Sequence, residues 1–154
     1  MSIVTRLQKI QEDRGAMANL RCISVESKKQ RAWPVLSRIG ISIQNEVGAF
    51  VAGLFAKHPL IASSGNFGQT CKQIETKREG RSEDNKLSAT ERRFLHLLAA
   101  KNMKERLQRI LRIVSLAESH QVPVNYGQLY CDLKRWNDST KQNWAMEFWN
   151  TNAD

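Results

Sequence analysis

Cys22, Cys71 and Cys131 are the only cysteines in 154 residues, and they lie far apart with no C-x-x-C pair. That excludes a disulfide framework and a zinc knuckle, and it suits a reducing cytoplasm. Long apolar runs are missing too. The longest, Ala49 to Ala56, is eight residues with Gly53 inside it, against the roughly 20 that a spanning helix needs. The N-terminal stretch Met1-Ser2-Ile3-Val4-Thr5-Arg6 turns charged before a signal-peptide core can form. A soluble, cytoplasmic protein without a membrane partner is the expectation. Strand signals are absent: nothing alternates apolar with polar residues at length, and neither Asn-Gly nor Asp-Gly occurs. Acidic residues are the last shortage, 15 against 24 Lys and Arg, which leaves a formal charge of +9. Such an excess says nothing of fold but asks for a polyanionic partner, nucleic acid first and an acidic membrane surface second.

What is present is helical periodicity. Ile3, Leu7 and Ile10 share one face, so a first helix is expected over 3–11. Pro34 can open a short helix that Gly40 would end. Ile43, Val47, Phe50, Val51, Leu54 and Phe55 make an amphipathic stripe stopped by His58-Pro59. Gly48 and Gly53 inside it mark places where another helix can come close. Residues 62–69 read as a turn-rich loop. Residues 75–86 carry mostly charges and no large apolar side chain, which predicts a solvated, mobile loop. Ser88 with Glu91, Asn102 with Glu105, Asn125, and Asp138-Ser139-Thr140 each sit where a helix N-cap belongs. The expectation is an all-α helical bundle, one domain over 1–154, made of two packed halves. These run over about 1–74 and 88–154, with an exposed loop at 75–87 between them.

Catalytic chemistry has little to stand on. His58, His96 and His120 fall on three separate segments without metal-ligand spacing. His58 reads as a helix-end residue and His96, among leucines, as a core or boundary residue. Gly65-Asn66-Phe67-Gly68 is not a dinucleotide fingerprint, and Ser63 and Ser64 lack a nucleophile-elbow context. No enzyme activity, no metal and no cofactor are expected.

The basic residues cluster. Between Arg92 and Arg112 stand seven Lys or Arg and a single acid, Glu105. Arg106, Arg109 and Arg112 step by three around one helix, over an arc of about 120°. The expected arc lies beside a buried stripe of Leu107, Ile110, Leu111 and Val114. Guanidinium forks suit phosphate oxygens. Glu105 stands at i, i+4 from Arg109 and can neutralise it. Trp136 and Trp144 read as core anchors before base-stacking platforms.

Four stretches in order carry a resemblance. They are Gly15-Ala16-Met17-Ala18-Asn19-Leu20-Arg21; Leu54-Phe55-Ala56-Lys57-His58-Pro59 with Gly65-Asn66-Phe67-Gly68; and Glu91-Arg92-Arg93-Phe94 with Leu97-Leu98-Ala99. The fourth joins Val122-Pro123-Val124-Asn125-Tyr126, Leu133-Lys134-Arg135-Trp136 and Trp144-Ala145-Met146-Glu147-Phe148-Trp149. Together they resemble the CasB family, the small subunit of the type I-E CRISPR Cascade complex.

The resemblance implies an all-α, non-catalytic subunit that works as a pair. It would pack among the large and backbone subunits of the complex, touching CRISPR RNA and target DNA and helping to hold the displaced strand. Arg21, Arg92, Arg93 and Arg112 match the family's basic positions, followed by Lys57, Lys134, Arg135 and Lys141; Arg109 joins them from the charge pattern alone. Cys22, Gln69 and Gln142-Asn143 stand where relatives carry basic residues. A free-standing basic helical DNA-binding regulator is the alternative.

Overall fold

In the computed structural model, which describes residues 1–78 and 87–150, the helix α4 (Glu46–Lys57) runs through the middle of the protein. Asn45 caps it by accepting from the Gly48 N–H at 2.9 Å, with Glu46 set on the positive end of the dipole. Nine of its residues, Val47, Gly48, Ala49, Val51, Ala52, Gly53, Leu54, Phe55 and Ala56, are buried. A helix apolar all round belongs inside. It ends at His58, whose backbone has left the helical region (φ −146°, ψ 81°), which a following proline disfavours. Ile43, expected on the same stripe, precedes the cap and is 43% exposed.

Before α4 come α1 (Ile3–Gln8), shorter than 3–11, then α2 (Arg14–Arg21), two 3-10 turns at Cys22–Ser24 and Lys29–Ala32, and α3 (Trp33–Arg38). The Arg6 guanidinium donates to the carbonyls of Ile39 and Gly40 and so caps the C-terminal end of α3. Gly40, at φ +80°, supplies the left-handed turn that stops it. Gly53 is the close approach that the sequence marks: a Cβ there would run into the Ile23 side chain. Gly48 has another reason, since its space is filled by its own cap, Asn45, and by Ile41.

Helix α5 (Phe67–Arg78) is where the sequence expectation fails. Residues 67–69 of the expected turn and 75–78 of the expected loop are helical; residues 79–86 of that loop lie outside the described residues. Phe67, Thr70, Cys71 and Ile74 are buried at i, i+3, i+4 and i+7. That is a helical stripe, hidden from a reading of large apolar residues by a threonine and a cysteine. Asn66 opens the helix by accepting from the N–H groups of Gly68 and Gln69. Burial pushes the Cys71 thiol well above its ordinary pKa, which keeps it inert.

The remaining helices are α6 (Ala89–Leu98), α7 (Met103–Ser119), α8 (Tyr126–Lys134) and α9 (Asp138–Phe148). Ser88, Asn102 and Asn125 cap as expected. The cap of α9 is Asn137, one residue before the expected Asp138. Helix α5 packs on α6, α7 and α9, while α4 packs on α2, α7 and α8.

Two joints hold the bundle. At the first, the His58 Nε2 lies 2.6 Å from the Val122 carbonyl, and the Tyr126 hydroxyl donates to the His58 carbonyl. An isolated parallel bridge, Ile61 with Val124, continues the seam. Burial, with Glu118 nearby, pushes the Tyr126 hydroxyl pKa up, so it stays a donor. At the second, α5 crosses α9 at Gly68, where a Cβ would meet the Trp144 carbonyl oxygen. Substituting Gly68→Ala should therefore cost about 1–3 kcal/mol by overpacking. Gly15→Ala meets only ordinary contact and should leave the melting temperature unchanged or slightly raised. Thermal melts check the pair; equal melting for both would mean that the helices do not cross so closely.

Candidate nucleic-acid interface

On α7 the inward residues are Leu107, Ile110, Ile113, Val114 and Ala117. Leu111 is only partly buried, so the stripe sits further round than the sequence reading placed it. The three arginines consequently meet three fates. Arg106 turns inward, its Cζ 4.4 Å from the centroid of the Trp136 ring. Burial lowers its pKa somewhat, and its Nε is buried without a hydrogen-bond partner. Arg109 donates from Nη1 to the His96 carbonyl at 2.7 Å and pairs with Glu105 at 3.8 Å. It fastens α7 to the C-terminal end of α6, the carbonyl-rich end that a cation suits. Arg112 alone points to solvent.

The other positions divide in the same way. Arg93 is exposed on α6, and Arg92 beside it donates among the described residues to the Leu87 carbonyl. Lys134 and Arg135 are exposed at the C-terminal end of α8, with Lys141 half-buried on α9. None of these six (Arg92, Arg93, Arg112, Lys134, Arg135, Lys141) has a carboxylate partner among the described residues. Lys57 does: Glu118 lies 3.2 Å from its ammonium. Arg21 spends its Nε on the Ala56 carbonyl at 3.0 Å, which leaves the rest of its fork outward.

Arg21 and Lys57 meet at a cleft of about 220 Å³, closed by Gly53, Leu111 and Ser115. A second cleft of about 360 Å³ shares Ser24 and Leu111 with the first. It brings Lys104 and Trp33 onto the same trough along α7. Arg92 and Arg93 share no cleft with this trough among the described residues. Trp33 is an addition that sequence reasoning missed, and Lys104 was counted in the basic cluster without being singled out; the cleft brings the two together. His96 is exposed and not a core residue. Among the described residues no three His, Cys, Asp or Glu side chains converge as a metal site, and no helix is long and apolar enough to cross a membrane.

Comparison with known proteins gives this surface its setting. The family model described as CRISPR-associated protein Cse2 matches residues 16–149. The chain belongs to the Cse2 family. Solved structures agree in fold. A crystal structure of a CRISPR-associated protein of the Cse2 family from Thermus thermophilus is 22% identical, with TM-score 0.75, over 96% of this chain and 98% of that one. A structure of CasB, also from Thermus thermophilus, is 22% identical at TM-score 0.74, over 96% and 98% of the two chains. CasB from Thermobifida fusca is 17% identical at TM-score 0.70, over 95% and 94%. No curated protein matches the chain. Cse2 membership and this fold agree with the resemblance read from the four stretches.

The division among the arginines is testable by stability alone. Arg109→Ala breaks a charged hydrogen bond to a helix-end carbonyl and should cost about 1–2 kcal/mol. Arg112→Ala removes no contact with a described residue and should stay within about 0.5 kcal/mol of the unmodified protein. Urea titrations of the two variants decide it, and equal midpoints would contradict the assignment.

Proposed function

We propose that the chain is the small, non-catalytic subunit of a type I-E CRISPR Cascade complex. It holds the backbone of guide RNA and target DNA, and the displaced strand, so that the opened target stays open in antiviral defence. Its partners are the large and backbone subunits, a second copy of itself, CRISPR RNA and target DNA, in the cytoplasm. One observation supports the reading most directly: Arg93, Arg112, Lys134 and Arg135 stand in solvent with no carboxylate partner among the described residues. In a protein of net charge +9, such groups displace the counterions condensed on a nucleic acid without first breaking an ion pair of their own.

No base-edge code is needed, because pairing with the guide reads the sequence while the protein reads backbone and shape. Arg21, Arg92, Arg93 and Arg112 are the first contacts in this reading, with Lys57, Lys134, Arg135 and Lys141 behind them. Arg109, committed to His96 and Glu105, contributes least.

Complexes assembled with the unmodified subunit and with Arg92→Ala/Arg93→Ala/Arg112→Ala test this at two or more salt concentrations. Each lost contact should reduce the slope of log affinity against log salt by about 0.7–0.9, equally for unrelated targets. Equal affinities and slopes, with the variant folded and incorporated, would refute the reading. Tight binding of the isolated protein to one duplex sequence would favour the free-standing regulator.

A further inference from the structure

Arg106 is the inward-turned α7 arginine, and no cap or ion pair among the described residues uses it. It is half-buried, its guanidinium lies 4.4 Å from the Trp136 ring centroid, and it makes no hydrogen bond or ion pair with any described residue. Its neighbour in the chain, Glu105, faces Arg109 and accepts from the Lys101 N–H. Asp132, which holds the Trp144 indole beside Trp136, gives its other oxygen to Gln128.

A residue serving only to fill space here would not be a guanidinium, because a buried donor left unsatisfied is costly and a leucine would cover the ring without it. The ring beneath is itself fixed. Trp136 meets Trp144 edge-on, with centroids 4.9 Å apart at 72°, and Trp144 is fully buried. The guanidinium therefore rests on a platform anchored in the core. A fork held in place loses less freedom on binding an oxyanion than one on a free side chain. Lys134 and Arg135, exposed and unpaired with any described carboxylate, directly precede Trp136 and add positive potential.

We propose that Arg106, seated on Trp136, binds a nucleic-acid phosphate, with Trp136 as its positioning residue. The inference rests on the nucleic-acid-binding reading above. The charge arc counted Arg106 as one of three solvent-facing arginines and no family position assigns it; what is added is its seat on Trp136. The Nη donors take the phosphate oxygens, and the Trp136 ring beneath holds the fork in place.

The test uses complexes assembled with Arg106→Ala, Arg106→Lys, Trp136→Leu or the Arg92/Arg93/Arg112 triple-alanine subunit, with melting of each subunit measured alongside. Arg106→Ala should weaken target binding about tenfold and lower the salt slope by about 0.7–0.9. Arg106→Lys and Trp136→Leu keep a positive charge without the seated fork; they should weaken binding several-fold with the slope nearly unchanged. If Arg106→Ala fails to fold or incorporate, Arg106→Lys decides. A lysine variant that melts and binds like the unmodified subunit overturns the inference. A folded Arg106→Ala variant that binds normally while the triple variant loses slope overturns it too, and the nucleic-acid reading then survives. Unchanged slopes in every variant would overturn both.

Discussion

Trp144 is fully buried where α5, α8 and α9 meet, and its indole N–H donates to the Asp132 Oδ2 at 2.7 Å. Much of the second half depends on that seat. Phe67 packs on one side, with centroids 5.3 Å apart, and Gly68 has no side chain so that α5 can reach the Trp144 carbonyl. Trp136 leans on the other side. Removing a side chain of this size costs about 3–5 kcal/mol where the cavity cannot collapse, and an orphaned carboxylate at Asp132 adds to the loss. The joint at the end of α4 works on the same rule: His58 and Tyr126 are polar groups carried into the interior only because carbonyls wait for them there.

Function enters through what this packing leaves over. A core of aliphatic and aromatic residues needs no Lys or Arg, so a net charge of +9 has to be placed on its surface. The bundle uses some of it for itself. Arg6 caps α3, Arg38 pairs with Asp13 at 3.1 Å, and Arg109 ties α7 to α6. Asp13 is held below the usual carboxylate range by the Ala16 N–H and then by Arg38. What stays unspent, on α6, α7 and the α8–α9 corner, is where the proposed function puts a polyanion. Arg92, Arg93, Arg112, Lys134, Arg135 and Lys141 have no carboxylate partner among the described residues.

Much of the fold was legible from residue periodicity, because helices declare themselves through apolar spacing and caps. Ser88, Asn102 and Asn125 cap where expected, and Pro34, Gly40 and His58-Pro59 bound α3 and α4 as read. Helix α5 was not legible: Thr70 and Cys71 are buried by their neighbours, and the glycines beside Asn66 look like a turn when they are a cap and a helix crossing. The candidate site was legible in composition but not in detail. Spacing by three put Arg106, Arg109 and Arg112 on one arc. Which of them is inward, braced or free depends on Trp136 and His96, 30 residues after the first and 13 before the second in the chain. Arg92 and Arg93 lie in both a matched stretch and the charge cluster, and Arg112 in the cluster alone; the structure leaves all three exposed.

The central claim is that the unpaired arginines of α6 and α7 face nucleic acid in the working assembly. An electron cryo-microscopy map of the complete CRISPR complex with bound target, at a resolution that shows side chains, measures this directly. The account predicts phosphate oxygens within about 3 Å of the Arg93 and Arg112 guanidinium groups. A map in which both groups instead meet carboxylates of a neighbouring subunit, with no nucleic acid against this face, would contradict it.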